Sequence, residues 1–164
     1  MNIVLHQPEI ALNTGNIGRT CVSTNTKLHL IRPLGFIIND KNLKRAGMDY
    51  WQDVKVYYYD NFDDFLAKNG NPTIYMATTK ALKSYTDVKY SDDDFIMFGS
   101  EGQGIPEEIL LNYKDTTIRI PMLEEYRSLN LSNSVAIVLY EALKQNDFKS
   151  LQLKGNLHKY NWNN

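Results

Sequence analysis

Phe95-Ile96-Met97-Phe98-Gly99-Ser100-Glu101-Gly102-Gln103-Gly104-Ile105-Pro106 is the stretch that decides the fold. Four consecutive apolar residues read as a strand covered on both faces. They run into three glycines within six positions, with one carboxylate among them. A helical pattern then opens over Pro106–Leu111, with proline at a first-turn position. Strand, loop and helix in this order form the repeating unit of an α/β domain. The same alternation recurs outward in both directions. Asn2–Leu5, Leu28–Arg32, Val54–Tyr59, Thr73–Thr78 and Thr116–Ile120 read as further strands. Asn13–Ser23, Lys41–Ala46, Asn61–Lys68 and Asn133–Lys144 read as helices, the last with a stripe of Val135, Val138, Leu139, Ala142 and Leu143. The pattern predicts a mainly parallel sheet with helices on both faces.

The chain has 164 residues, 43% hydrophobic and 23% charged, which suits one compact domain and excludes collagen-like, low-complexity and disordered classes. No apolar run approaches the roughly 20 residues of a membrane span, and the start lacks the pattern of a signal peptide. A cytoplasmic protein without membrane contact is expected. The single cysteine, Cys21, reads as a small buried residue. His6, His29 and His158 have no metal-ligand spacing, so no metal is expected. The net charge of −1 hides an asymmetry: residues 1–59 carry +3, residues 60–125 carry −7 and residues 126–164 carry +3. Two basic ends converging on one face would make a phosphate-binding patch; chance segmentation on a solvated surface explains the same numbers.

Ligands on parallel sheets lie at the carboxyl ends of the strands, so the loops there carry the chemistry. The glycine loop after Phe98 has neither the P-loop lysine nor the dinucleotide spacing. It suits a small ligand recognised by backbone groups, or a tight turn that needs glycine for its shape. Ser128, Asn130, Ser132 and Asn133 crowd the start of the last helix, more than one cap requires. After the first strand, Asn13, Asn16 and Arg19 recur in steps of three, which places them near one helix face. Arg19 there is a fork for phosphate or a plain surface arginine. Lys41, Lys44 and Arg45 precede Tyr50-Trp51, a pattern for stacking single-stranded RNA or for ordinary packing.

Together, three blocks resemble a known family. They are Asn13-Thr14-Gly15-Asn16-Ile17-Gly18-Arg19, Phe98-Gly99-Ser100-Glu101-Gly102-Gln103-Gly104-Ile105-Pro106, and Ile118-Arg119-Ile120-Pro121-Met122 continuing through Ser128-Leu129-Asn130-Leu131-Ser132-Asn133. They look like the three motifs of the SPOUT class of RNA 2′-O-ribose methyltransferases, in its small single-domain form. The chain departs from the usual pattern at His6-Gln7, Ser100 and Gln103, the last in place of a common arginine.

The resemblance runs from about the first strand to Leu143 and implies an α/β fold, a single domain over residues 1–164, whose C-terminal part threads a loop as a trefoil knot. Residues from about 150 to 164 read as a flexible tail, either an RNA-contacting end or a plain disordered terminus. It implies S-adenosylmethionine as cofactor, S-adenosylhomocysteine as product, and a homodimer whose partner completes the substrate site. By motif position the cofactor would meet Ala77, Thr78, Gly99, Glu101, Gly102, Ile120, Ser128 and Leu129. Arg19, Asn13, Ser128 and Asn130 would serve catalysis. Arg19, Arg127 and Tyr140 would meet the substrate, joined by Lys44 and Arg45 from the basic–aromatic reading. The implied reaction is 2′-O-methylation of the wobble nucleotide, position 34, in the anticodon loop of tRNA, leucine tRNAs first among them. Other readings are methylation at another tRNA or ribosomal RNA position, a non-catalytic RNA-binding module, and a nucleotide-binding protein using the glycine loop.

Overall fold

The computed structural model describes residues 1–37 and 50–162. The expected helix at Lys41–Ala46, together with Lys41, Lys44 and Arg45, lies outside the described residues. Six strands form one parallel sheet: β1 (Asn2–His6), β2 (Lys27–Ile31), β3 (Val56–Tyr59), β4 (Ile74–Ala77), β5 (Phe95–Phe98) and β6 (Thr117–Ile118). Their order across the sheet is β3-β2-β1-β5-β4-β6. All residues of β1 and β5 are buried, as consecutive apolar positions require when both faces are covered. The two strands pair from Asn2 opposite Phe95 to Leu5 opposite Phe98.

Among the described residues, four α-helices cover the sheet: α1 (Ala11–Ser23), α2 (Phe62–Asn69), α3 (Glu107–Asn112) and α4 (Leu131–Gln145). Strand residues alternate between two cores. Ile3, Leu5, Leu28, Leu30, Ile96 and Phe98 pack with Ile17 and Cys21 of α1 and the expected stripe of α4. Val4, Ile31, Met76 and Met97 pack with Phe65 of α2 and Leu110 of α3 on the other face. The expected architecture, with helices on both faces, is what the residues build. The strand ends differ: Thr116–Ile120 yields only Thr117–Ile118 in β6, and Arg119 pairs instead with Ser84 of the connection after β4.

This topology positions the site. The chain leaves β1 for α1 on one face and leaves β5 for α3 on the other. Adjacent parallel strands whose exits diverge open a crevice at their carboxyl ends.

Tyr50 and Trp51 resolve in favour of packing. The Tyr50 hydroxyl donates to the Gly15 carbonyl at 2.9 Å. Trp51 lies so close to α1 that a Cβ on Gly18 would stand 2.7 Å from its ring. Cys21 is fully buried, and burial pushes its thiol up to about 12, so it is an inert core residue.

His29 is also structural. It is 3% exposed; its Nε2 donates to Asn2 Oδ1 at 3.3 Å and its Nδ1 accepts from the Tyr59 hydroxyl at 2.8 Å. Burial, with a smaller push from Lys27, lowers its pKa to about 4. The folded value lies below the unfolded one, so the unfolded chain binds the extra proton. Stability is therefore full above about pH 6.5 and is lost as pH falls toward 4. Urea unfolding at pH 7 and pH 4.5 should differ by about 2–3 kcal/mol from this group. His29→Gln should shrink that difference; an unchanged difference would remove His29 as its source.

A candidate ligand cavity at the exits of β4, β5 and β6

A cavity of about 520 Å³ lies at the carboxyl ends of the strands. Three separated segments wall it: the glycine loop after β5, the stretch from Ile118 to Leu131, and the exit of β4 at Ala77–Lys80. Asn13 and Ile10 at the start of α1 close one side. Every residue that the motif positions assign to the cofactor lines it: Ala77, Thr78, Gly99, Glu101, Gly102, Ile120, Ser128 and Leu129.

The glycine loop doubles back on itself, with the Gly104 amide donating to the Ser100 carbonyl at 2.9 Å. A Cβ on Gly99 would overlap the Gly104 carbonyl carbon at 1.9 Å, and Gly104 has φ +75°. Both positions therefore need glycine for the shape of the loop.

Glu101 has a role that spacing did not reveal. Its carboxylate accepts from the Glu9 amide (2.8 Å), the Ile10 amide (3.3 Å) and Asn13 Nδ2 (2.8 Å). Helix α1 begins after Ile10, which has no capping side chain of its own. Glu101, 91 positions along the chain, accepts from the amide of this N-cap residue instead, and its negative charge suits the positive end of the helix dipole.

Asn13 carries the connection further. Its Oδ1 accepts from Asn130 Nδ2 at 3.0 Å. Asn130 in turn caps α4, its Oδ1 accepting from the amides of Ser132 (2.9 Å) and Asn133 (3.4 Å) and from the Ser132 hydroxyl (2.7 Å). The row Glu101–Asn13–Asn130 thus ties all three sequence blocks together. The crowding of Ser and Asn at this helix start is in good part the cap itself. Ser128 stays exposed on the cavity wall. Arg127 donates to the Gly102 carbonyl at 2.6 Å and so braces the glycine loop from the far side.

Arg19 and Tyr140 do not join this group. Asn13, Asn16 and Arg19 do not share a face: Asn13 is buried, while Asn16 and Arg19 are exposed. Six residues of helix advance about 9 Å and turn the side chain about 120° away. The Arg19 guanidinium lies 5.1 Å from the centre of the Tyr50 ring. Tyr140 on α4 is 48% exposed, beside Phe148. Glu9 is a site residue that the spacing left unnoticed. Its carboxylate accepts from the Gly102 amide at 3.1 Å. An acid just before a helix start was the available signal.

The cavity suits a nucleoside-sized ligand. Its volume falls in the range of small-molecule sites. Its wall mixes apolar side chains (Ile105, Ile120, Leu129, Val138) with exposed loop backbone. Lys80, one of the lining residues, is paired with Glu107 at 2.6 Å. Among the described residues, no group of His, Cys, Asp and Glu is arranged to hold a metal. No helix among them is long and apolar enough to cross a membrane.

A parallel α/β sheet with a glycine-loop cavity at its strand exits defines a small-ligand α/β protein, and comparison with known proteins narrows the class. The model of the SpoU rRNA methylase family matches residues 1–140, and the chain belongs to this family. A candidate tRNA (cytidine(34)-2′-O)-methyltransferase of Listeria innocua is 52% identical over 153 residues, covering 92% of this chain and 90% of its own. A structure solved for the 2′-OH methylation of C/U34 on tRNA superposes with a TM-score of 0.83 at 39% identity, covering 89% of this chain and 95% of its own. The SpoU methyltransferase AviRb of Streptomyces viridochromogenes, solved in complex with AdoMet, shares the fold with a TM-score of 0.79 at 17% identity, over 93% of this chain and 59% of its own.

Proposed function

We propose that this protein transfers a methyl group from S-adenosylmethionine to the ribose 2′-oxygen of the wobble nucleotide, position 34, of tRNA. The observation that carries the reading is the convergence of three separated loops, at the exits of β4, β5 and β6, on one cavity closed by Asn13 of α1, in a chain of the SpoU family. Ala77, Thr78, Gly99, Gly102, Ile120, Ser128 and Leu129 would hold the donor, and Glu101, Asn13 and Asn130 would keep the loops in register. When bound, S-adenosylmethionine supplies an electrophilic methyl and leaves as S-adenosylhomocysteine.

The chain's own residues solve the remaining difficulty, which is a weakly acidic sugar hydroxyl. Arg19 is a poor base because guanidinium stays protonated. It instead grips the phosphate next to the target ribose in two parallel bonds and polarises the hydroxyl, whose proton leaves late to a phosphate oxygen or to water. Holding the reactants in line is worth roughly 7–11 kcal/mol of barrier.

Arg19 stands outside its own cavity, and a homodimer accounts for this: each active site would combine one chain's cavity with the other chain's helix face. Exposed Ile10, Leu12, Leu129, Ile137 and Tyr140 on or beside α1 and α4 offer the apolar surface for such pairing. Residues 1–164 form one methyltransferase domain in this reading, with residues 152–162 outside the packed core. Acting on tRNA places the enzyme in the cytoplasm.

The trefoil threading belongs to the same proposal. The connection between β4 and β5 straps the chain after β6 at two places. The Arg119 amide donates to Lys83 and the Tyr85 amide to Arg119 at 2.9 Å each, while Tyr90 and Asn146 bond at the far end of α4. A crystallographic trace of residues 78–94 and 119–145 tests the threading.

The decisive experiment incubates the protein with S-adenosylmethionine and tRNA from cells that lack it, leucine tRNAs included, and maps 2′-O-methyl groups. A new methyl at position 34 supports the proposal. A methyl at another tRNA or ribosomal RNA position, or retention of RNA without S-adenosylhomocysteine binding, overturns it.

A further inference from the structure

We propose that Glu9 is a positioning residue for methyl transfer: its carboxylate clasps the glycine loop and sets the part of the cavity that receives the donor. The inference rests on the reading that this cavity takes S-adenosylmethionine.

The clasp is reciprocal. The Glu9 amide donates to Glu101 at 2.8 Å, and the Gly102 amide donates back to the Glu9 carboxylate at 3.1 Å. Two loops more than 90 positions apart thereby exchange bonds at neighbouring residues.

Glycines on both sides let neighbouring segments come close to Glu9, which is itself exposed. A Cβ on Gly102 would stand 3.0 and 3.1 Å from the two Glu9 carboxylate oxygens. On the opposite side, a Cβ on Gly35 would stand 2.7 Å from the Glu9 Cα and carbonyl oxygen. The Gly35 amide donates to the Pro8 carbonyl at 2.9 Å, which seats the loop after β2 against the same segment. Glu9 therefore sits where the exits of β1, β2 and β5 meet.

The place matters because β1 and β5 send their chains to opposite faces of the sheet. Nothing in the sheet ladder holds their loops together beyond Leu5 and Phe98. Glu9 and Glu101 bridge that divergence. With its amide held by Glu9 and its carbonyl by Arg127 at 2.6 Å, Gly102 has the peptide group on each side of it fixed. A donor bound against this loop meets a preformed wall, and no binding energy is spent on ordering it.

The test compares Glu9→Ala with Glu9→Gln in the full chain. Calorimetry reads S-adenosylhomocysteine affinity, initial rates read KM for S-adenosylmethionine and kcat, and a thermal melt reads folding. Glu9→Ala should raise both Kd and KM about tenfold and leave kcat at saturating donor within about threefold. Glu9→Gln keeps an oxygen that accepts from the Gly102 amide and should restore binding to within about threefold of wild type. Should Glu9→Ala fail to fold, Glu9→Asp carries the same expectation, since its shorter side chain stops short of Gly102. Wild-type affinity in the Ala variant, or a Gln variant as weak as Ala, overturns the role of Glu9. Failure of the wild-type protein to bind S-adenosylhomocysteine overturns the cavity assignment itself and this inference with it.

Discussion

Arg19→Lys should lower the rate of tRNA methylation about 100-fold while S-adenosylhomocysteine affinity and thermal stability stay at wild-type values. The size follows from geometry. Lysine keeps the charge but is a point donor, so it loses the paired bonds that fix a phosphate and the ribose beside it. A misplacement of about 1 Å at a reacting centre is worth about a hundredfold. The selectivity follows from position. Arg19 is exposed and does not line the donor cavity, so neither folding nor donor binding depends on it. Undiminished turnover in the lysine variant would remove Arg19 from the reaction.

The same variant tests whether two chains share a site. Mixed with Glu101→Ala and allowed to exchange subunits, it should yield hybrid dimers with one intact site. A mixture then recovers about a quarter of the wild-type rate, although each parent is nearly inactive. Additive parental rates would place Arg19 on the cavity of its own chain.

Glu101→Ala should be the most damaging of the polar substitutions, with Tm lowered by about 5–15 °C and S-adenosylhomocysteine affinity by more than tenfold. Three donors lose their acceptor at once: the Glu9 and Ile10 amides and the Asn13 side chain. A buried donor left unpaired costs about 1–3 kcal/mol. Asn13 is 5% exposed, so water cannot readily replace the missing oxygen. Its bond to Asn130 then loosens, which carries the damage to the start of α4. Glu101→Gln, which keeps one acceptor, should lose less. A melt within a degree of wild type in the alanine variant would show that α1 does not rely on Glu101.

The two predictions separate functions that the sequence places side by side. Asn13 and Arg19 stand six residues apart in one motif, yet one locks loops inside the protein and the other faces outward. Helix periodicity alone tells them apart only when the buried face is known. Here Thr14, Ile17, Gly18 and Cys21 define that face, while Asn13 is drawn in by Glu101 at the helix start.

Local patterns settled a great deal. Consecutive apolar runs marked β1 and β5, and the Val135–Leu143 stripe marked the buried side of α4. The strand exits picked out the loops after β5 and β6, which wall the cavity, and the loop after β1, whose Ile10 and Asn13 close one side, because hydrophobic periodicity reports where elements begin and end; the exit of β4 came only with the family resemblance. The contacts among those loops are another matter. That Glu101 holds the start of α1, that Asn130 reaches Asn13 and that Glu9 holds Gly102 depend on the strand order β2-β1-β5-β4, which brings distant exits together at one edge. A hydrogen bond between residues about 90 positions apart leaves no period and no composition to read. Only the folded path of the backbone determines which donors and acceptors meet.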